Sequence, residues 1–416
     1  MKKTPILVAI LLILISITIQ SNAKETLQTH SIAEIVVDNE GDGDYQTISA
    51  AIQQANNGDI IKIYSGTYKE NIIVDKKIIL LGCSNEYKTG SDTGKPILDG
   101  QQKGDVITLN SDACTLLNLA IVNGGIDTPA ANGISIPGTC DHVIKNNTIQ
   151  NNFIGIELGS DTSFFSPELF KKYPKHCIIA DNTINYNIFG IHLSYPKNHE
   201  IINNTLTNTG FSMIGPADLI KTNRFENNTV NQKPIQIYLN KKQISIHNQT
   251  LGQLFLFNCQ HISIENITFE NTTIGVMIQN SDDIIIKNSI FQNIHRGGIS
   301  LHADNTDVYN NHFYNNSYGC YIEGGTNIYL HQNNFIQCYK HDQPTDNYLI
   351  KHQKFMDSQK LRYDNNYYDD WIGLQKTAFQ KCPKIIVGFR RPLYKYLNIF
   401  PTIKLDWHPA TTPYEI

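Results

Sequence analysis

The sequence predicts an all-β chain: a single-stranded, right-handed parallel β-helix with a short N-terminal capping helix and an irregular C-terminal tail. Three observations carry this expectation: an excess of Ile and Asn, a repeat of about 22 residues, and ends that escape the repeat. The 416 residues include 61 Ile and 45 Asn. Ile is a β-branched strand former, whereas Asn favours turns and tolerates the left-handed region, so an excess of both implies many short strands and many turns. Only 4 Met and a charged fraction of 17% argue against a helical bundle. An apolar fraction of 40% supplies a core and excludes a disordered chain. A formal charge of −4 leaves no basic footprint, which excludes nucleic acid as a partner class.

The N-terminus reads first as an address. Lys2 and Lys3 precede a 14-residue apolar run from Ile6 to Ile19, and Ser21-Asn22-Ala23 offers small residues for cleavage. Residues 1–23 are therefore expected to be a secretory signal peptide. No later stretch is apolar for long enough to cross a bilayer, so no membrane span is expected in the mature chain. The expected location is secreted, cell-surface or periplasmic. Eight Cys follow, and an oxidising compartment permits disulfides, with 105 pairings open.

A helix comes next. Ile48, Ala51, Ile52 and Ala55 are spaced as one apolar helix face within Asp44–Gly58, with Asp44 as the expected N-cap. This helix would cover the first coil and block edge-to-edge pairing.

The repeat fills the region up to residue 338. A phrase of Asn-x-large apolar-x-Asn recurs, as in Asn147-Thr148-Ile149-Gln150-Asn151 and Asn204-Thr205-Leu206-Thr207-Asn208. Its later apolar anchors, Phe269, Phe291, Phe313 and Phe335, are 22 residues apart, and Phe225 lies 44 before Phe269. A small residue and alternating apolar residues follow each anchor, as in Gly190-Ile191-His192-Leu193 and Gly298-Ile299-Ser300-Leu301, which is strand periodicity. A unit this short buries its apolar side only by stacking on copies of itself. Equivalent positions in successive coils then lie about 4.8 Å apart, so Asn can form hydrogen-bonded ladders and Phe and Ile can stack inside. Residues 24–338 are read as the β-helix with its cap, and 339–416 as a last irregular coil and a wrapping tail.

Two passages carry a family resemblance. Gly41-Asp42-Gly43-Asp44-Tyr45-Gln46-Thr47-Ile48 with Gly66-Thr67-Tyr68-Lys69-Glu70 resembles the opening of pectinesterases and of many pectin-lyase-like proteins. The repeats, with Asn365-Asn366-Tyr367-Tyr368-Asp369-Asp370-Trp371, resemble the NosD-type β-helix proteins. The resemblance implies export and carbohydrate-binding or sugar-hydrolase-like repeats. The later catalytic motifs of a pectinesterase are absent, so that activity is not expected. The NosD-type label also implies an accessory role for a periplasmic copper enzyme, yet the 14 His and 4 Met show no clustered ligand spacing.

Candidate site residues come from the outward strand positions. One row holds Glu157, His192, Phe255, Met277, Ser300 and Tyr321, and the next Ser194, Tyr238, Phe257, Gln279, His302 and Glu323. Sugars stack on aromatic rings and hydrogen-bond to polar groups, so Tyr238, Phe255, Phe257, Gln279 and Tyr321 are the carbohydrate-binding candidates. Arg296, His302 and Glu323 are the catalytic candidates of a lyase or hydrolase. Asp282 and Asp304, one period apart, are a candidate calcium site, and no other cofactor is indicated. The leading expectation is a polysaccharide- or glycan-binding protein. The alternatives are a polysaccharide lyase or glycoside hydrolase, a surface or structural rod, and the copper accessory role.

Overall fold

The computed structural model describes residues 32–125, 131–159, 173–338, 353–355, 358–359, 361–368, 384–390, 400–406, 409–410 and 412–415. The expected signal peptide and most of the tail lie outside them. The described chain winds into a parallel β-solenoid of about 13 turns. No described helix is long and apolar enough to cross a membrane.

The first stretch runs to Val230. Its first sheet has eight parallel strands, from Glu34–Val37 to Arg224–Glu226, and its second has six, from Ile72–Val74 to Phe211–Ile214. The strands Thr148–Asn152, Thr183–Asn185 and Thr205–Thr207 belong to a third face. Parallel pairing one coil apart puts like beside like. Leu80, Leu116, Ile144, Ile179 and Ile201 form one register column, each fully buried. Such columns place β-branched and aliphatic side chains against near-copies of themselves at one strand spacing.

The Asn excess divides into two tasks. Among the described residues, twenty-two asparagines adopt positive φ and turn the chain, where their short side chain tolerates the left-handed region. In Asn-Asn pairs the second residue then points inward. Asn147, Asn182, Asn204 and Asn228 form a buried ladder in which each Oδ1 accepts the backbone N–H and the Nδ2 of the Asn one coil before. A second ladder runs Asn311–Asn333–Asn366 and ends on the Asp406 carboxylate. Another turn carries a buried column of different composition. The Nδ1 of His142 accepts from the Cys114 N–H at 3.3 Å, and the Nδ1 of His199 accepts from the Cys177 N–H at 3.1 Å. Burial pushes both imidazoles down to about 4, and pushes the Cys114 thiol up to about 11 and Cys177 up to about 12. All seven described Cys are free thiols.

The capping helix forms, shorter than the periodicity suggested, over Ile48–Gln54 with Ile48, Ala51 and Ile52 buried. Its N-cap is Thr47, whose hydroxyl accepts from Ala50. Asp44 is instead engaged by the N–H of Val36 in the first strand. The Glu70 carboxylate accepts from the N–H groups of Ile48 and Ser49, and Lys76 Nζ donates to the carbonyls of Ile52, Gln53 and Ala55. Both charges suit the ends of the helix they bind.

At residues 231–232 the solenoid is interrupted. Thr229–Val230 pairs antiparallel with Lys233–Pro234, and a second stretch begins. Its long sheet starts at Lys233–Leu239 and continues through Gln253–Phe257, Ile274–Lys287, Gly297–Tyr309 and Tyr318–Thr326. Opposite it, Phe269, Phe291, Phe313, Phe335 and Tyr368 stack with ring centroids 5.4, 5.0, 4.8 and 5.4 Å apart. The 22-residue period therefore holds here. Phe225 is not part of it: it pairs with Ile201 in the first stretch and packs on Phe211. Its 44-residue offset from Phe269 is a coincidence of chain length across the interruption.

The two stretches share one joint. Leu254 and Leu256 enter the second core, whereas Phe255 and Phe257, alternating on the same strand, enter the first with Phe211, Met213, Ile220 and Val230. The outer face of the second stretch thus covers the end of the first. The last coil pairs Arg362–Asp364 with Tyr329–His331, and an antiparallel hairpin of Lys384–Arg390 and Phe400–Asp406 follows.

Candidate functional site

The joint rearranges the expected binding face. Phe255, Met277, Ser300 and Tyr321 do share a register column, as do Phe257, Gln279 and His302. However, Phe255 and Phe257 are 0% and 1% exposed, their parallel rings sealing the first core. They are packing residues and offer no platform to a sugar. Tyr238 pairs with Leu256, one position away from the expected row, so it faces the second core, where its hydroxyl accepts from Gln236 Nε2 at 2.8 Å. Glu157 and His192 belong to a different sheet from Phe255, because the interruption separates the two stretches.

The remaining candidates lie on the second stretch. The Glu323 carboxylate accepts from Ser300 Oγ at 2.8 Å and Gln279 Nε2 at 3.2 Å. A register shift after Leu301 pairs His302 with Gly324 and leaves the imidazole exposed beside that glycine. Tyr321 is buried, and the Arg296 guanidinium lies 5.1 Å from its ring centroid and 5.5 Å from that of Phe189. Arg296 is thus held between an aromatic ring of each stretch, with no ion-pair partner among the described residues. Asp282 and Asp304 are register neighbours. Their carboxylates are engaged by turn donors: Asn305 Nδ2 on Asp282, and the N–H and hydroxyl of Thr326 on Asp304.

A second set of groups lies on the outer face of the six-stranded sheet. One register column reads Ile73, Thr108, Ser135, Glu157, His192 and Ser212. Ile73 is 59% exposed, while Ser135, His192 and Ser212 are buried although they point away from the core. Buried polar groups on an outer face require partners. The Asn132 N–H donates to Asp105 Oδ1 at 2.9 Å, and its Nδ2 donates to Glu157 Oε2 at 2.7 Å. One asparagine therefore joins two carboxylates. Burial raises the Asp105 carboxyl from its ordinary value, against the pull of its hydrogen bonds from Asn132, Ser135 and Thr108. His192 Nε2 lies 3.2 Å from Ser194 Oγ, with Phe189 edge-on to the imidazole. Phe189 also carries Arg296, so this column and the Arg296–Tyr321 cluster are contiguous.

Glu157 and His192 were visible in the sequence as outward residues of a strand phrase. Asp105 and Asn132 were not: they stand at the starts of their strand phrases, outside the alternation. The signal that was present is compositional. This sheet's outward slot carries Thr, Ser, Glu, His and Ser on successive coils, where a solvated face would show a mixture with Lys.

Residues 252–370 match the family described as right handed beta helix region. No curated protein matches the chain. Among solved structures, it is similar to the catalytic domain of a GH87 alpha-1,3-glucanase in complex with tetrasaccharides, at 13% identity and a TM-score of 0.38, covering 82% of this chain and 68% of that one. It is also similar to DFA-IIIase from Arthrobacter chlorophenolicus A6, at 12% identity and a TM-score of 0.34, covering 76% of this chain and 87% of that one. A third is the periplasmic alginate epimerase AlgG, at 13% identity and a TM-score of 0.31, covering 76% and 75%. Their activities are properties of those proteins, since one fold hosts many functions.

Proposed function

We propose that this is an exported β-helix protein that binds a polysaccharide or cell-surface glycan on the outer face of the six-stranded sheet. The observation that carries the reading is the outward column of buried polar side chains, joined through Asn132 to Asp105 and Glu157. Carboxylates, an imidazole and hydroxyls at one strand spacing match the spaced hydroxyls of a sugar chain. Arg296, held over the rings of Phe189 and Tyr321, adds a cationic end suited to an acidic residue.

A specific observation favours cleavage as a second reading. Burial raises the Asp105 carboxyl from its ordinary value, and Asn132 joins it to a second carboxyl group, that of Glu157. Two carboxyl groups brought to one asparagine can divide the acid and base roles of glycoside hydrolysis. The test is a glycan array, together with a polysaccharide panel assayed for reducing ends and unsaturated uronates. Binding that is lost in Glu157→Gln supports the site, and product formation lost with it supports cleavage. A chain that neither binds nor cuts any of them sinks both readings and leaves the rod-like spacer or the copper accessory role.

A further inference from the structure

The loop after the first strand carries a cluster that lies apart from the polar column of the six-stranded sheet. Oxygens of Asp38, Glu40 and Glu86 lie within 4.8 Å of one another. The three come from two loops, Asp38 and Glu40 after the strand Glu34–Val37 and Glu86 after the strand Ile79–Gly82. No Lys, Arg or His forms an ion pair with any of them among the described residues.

The decisive residue is Asp38. It is 0% exposed, yet it is an acid. Its Oδ2 accepts from the Asp42 N–H at 3.0 Å, while its buried Oδ1 has no hydrogen-bond partner. A buried carboxylate oxygen without a donor is expensive, and two further carboxylates beside it make it more so. Glu86 is fixed rather than floating: its Oε1 accepts from the Tyr87 N–H and its Oε2 from the Asp92 N–H, both at 3.0 Å. Each of its oxygens keeps a second lone pair. Hydrogen bonds thus fix Asp38 and Glu86, and every donor in them is an uncharged backbone N–H.

A hard divalent cation satisfies all of these groups together. Calcium takes oxygen ligands at about 2.3–2.6 Å, so two ligands on opposite sides of it stand up to about 5 Å apart. Magnesium holds its ligands at about 2.0–2.1 Å and demands a tighter, octahedral set. We propose that Asp38, Glu40 and Glu86 form a calcium-binding site that ties the loop 38–44 to the loop 84–94 at the capped end of the solenoid. The ion supplies the missing partner of Asp38 Oδ1 and removes the repulsion among the three acids.

The experiment uses the full chain, treated with chelator and then titrated with calcium chloride, magnesium chloride or terbium chloride. The melting temperature should rise by several degrees with calcium, and Tyr45, Tyr68 and Tyr87 nearby should sensitise terbium emission. Glu40→Gln, at an exposed position, should fold normally and lose most of the terbium signal. Asp38→Asn keeps the shape and removes the charge, so it should melt above the wild type in chelator and gain nothing from calcium. The double variant Asp282→Asn/Asp304→Asn should keep the full response. No calcium shift in the wild type, an equal shift with magnesium, or a response abolished by the Asp282/Asp304 variant and kept by Asp38→Asn would overturn the assignment.

Discussion

The side-chain amide of Gln253 takes the place of a strand beside Phe211. Its Oε1 accepts the Phe211 N–H at 2.7 Å and its Nε2 donates to the Phe211 carbonyl at 3.0 Å. The same Nε2 donates to the Ile274 carbonyl at 2.8 Å. Phe211 opens the last strand of the six-stranded sheet, where no further coil follows. Gln253 is fully buried and belongs to the second stretch, so one residue meets the backbone needs of both.

Replacing it should therefore weaken the joint. Gln253→Leu keeps the volume and strands the N–H and carbonyl of Phe211 without partners. The expected loss is about 2–4 kcal/mol in urea unfolding, from two buried polar groups left unmet. Gln253→Glu should also destabilise, because the buried carboxylate would set an oxygen against the carbonyls of Phe211 and Ile274.

Acid should act on the His142 and His199 column. Their folded values lie near 4, below the ordinary 6.5, because burial disfavours the charged ring. Asp112 and Asp141 raise His142 slightly, and His176 lowers His199 further. A depressed value means that the unfolded chain binds the proton first. The stabilisation is complete above about pH 6.5 and is lost as the pH falls toward 4, by on the order of 3 kcal/mol for each ring. Unfolding free energies measured from pH 7.5 to 4 should show this slope, and His142→Asn, which can still accept from Cys114, should flatten it.

The two kinds of asparagine should respond differently to substitution. Asn204 is buried in a ladder, and Asn204→Leu should cost about 2–3 kcal/mol by breaking it. Asn203, its exposed neighbour, has φ of 55°. Asn203→Gly should be nearly neutral, whereas the β-branched Asn203→Val should cost about 1–2 kcal/mol in thermal or urea unfolding.

Aromatic substitutions should separate packing from binding. Phe257→Ala should cost about 3–5 kcal/mol of stability, as a large buried ring leaves a cavity, and leave glycan affinity per folded molecule unchanged. Arg296→Ala should do the reverse, weakening binding about tenfold with little change in melting temperature.

Much of this architecture was legible because the solenoid repeats its reasons. Phe269 to Phe335 stack at the interval the sequence shows, and the Asn pairs mark turn and ladder in adjacent letters. What stayed hidden was non-periodic. The turn at Asn231-Gln232 reads like any other Asn turn, yet there the chain reverses into an antiparallel pair and starts a second stretch. Alternation marks Phe255 and Phe257 as outward, which is true of their own coil, but outward there means into another core. Asp38 was likewise unreadable as a ligand, since its isolation appears only when the loop carrying Glu86 is folded beside it.

The joint also bears on self-association. A stack of coils has no natural last member: an uncovered final strand will accept another chain's strand as readily as its own, and growth of that kind ends in fibres. This chain meets the hazard twice, with the helix Ile48–Gln54 at its beginning and with a sideways turn of its own second half at Val230. A truncation that stopped at the interruption would leave Phe211, Met213 and Val230 bare, and its fate should be polymer rather than monomer.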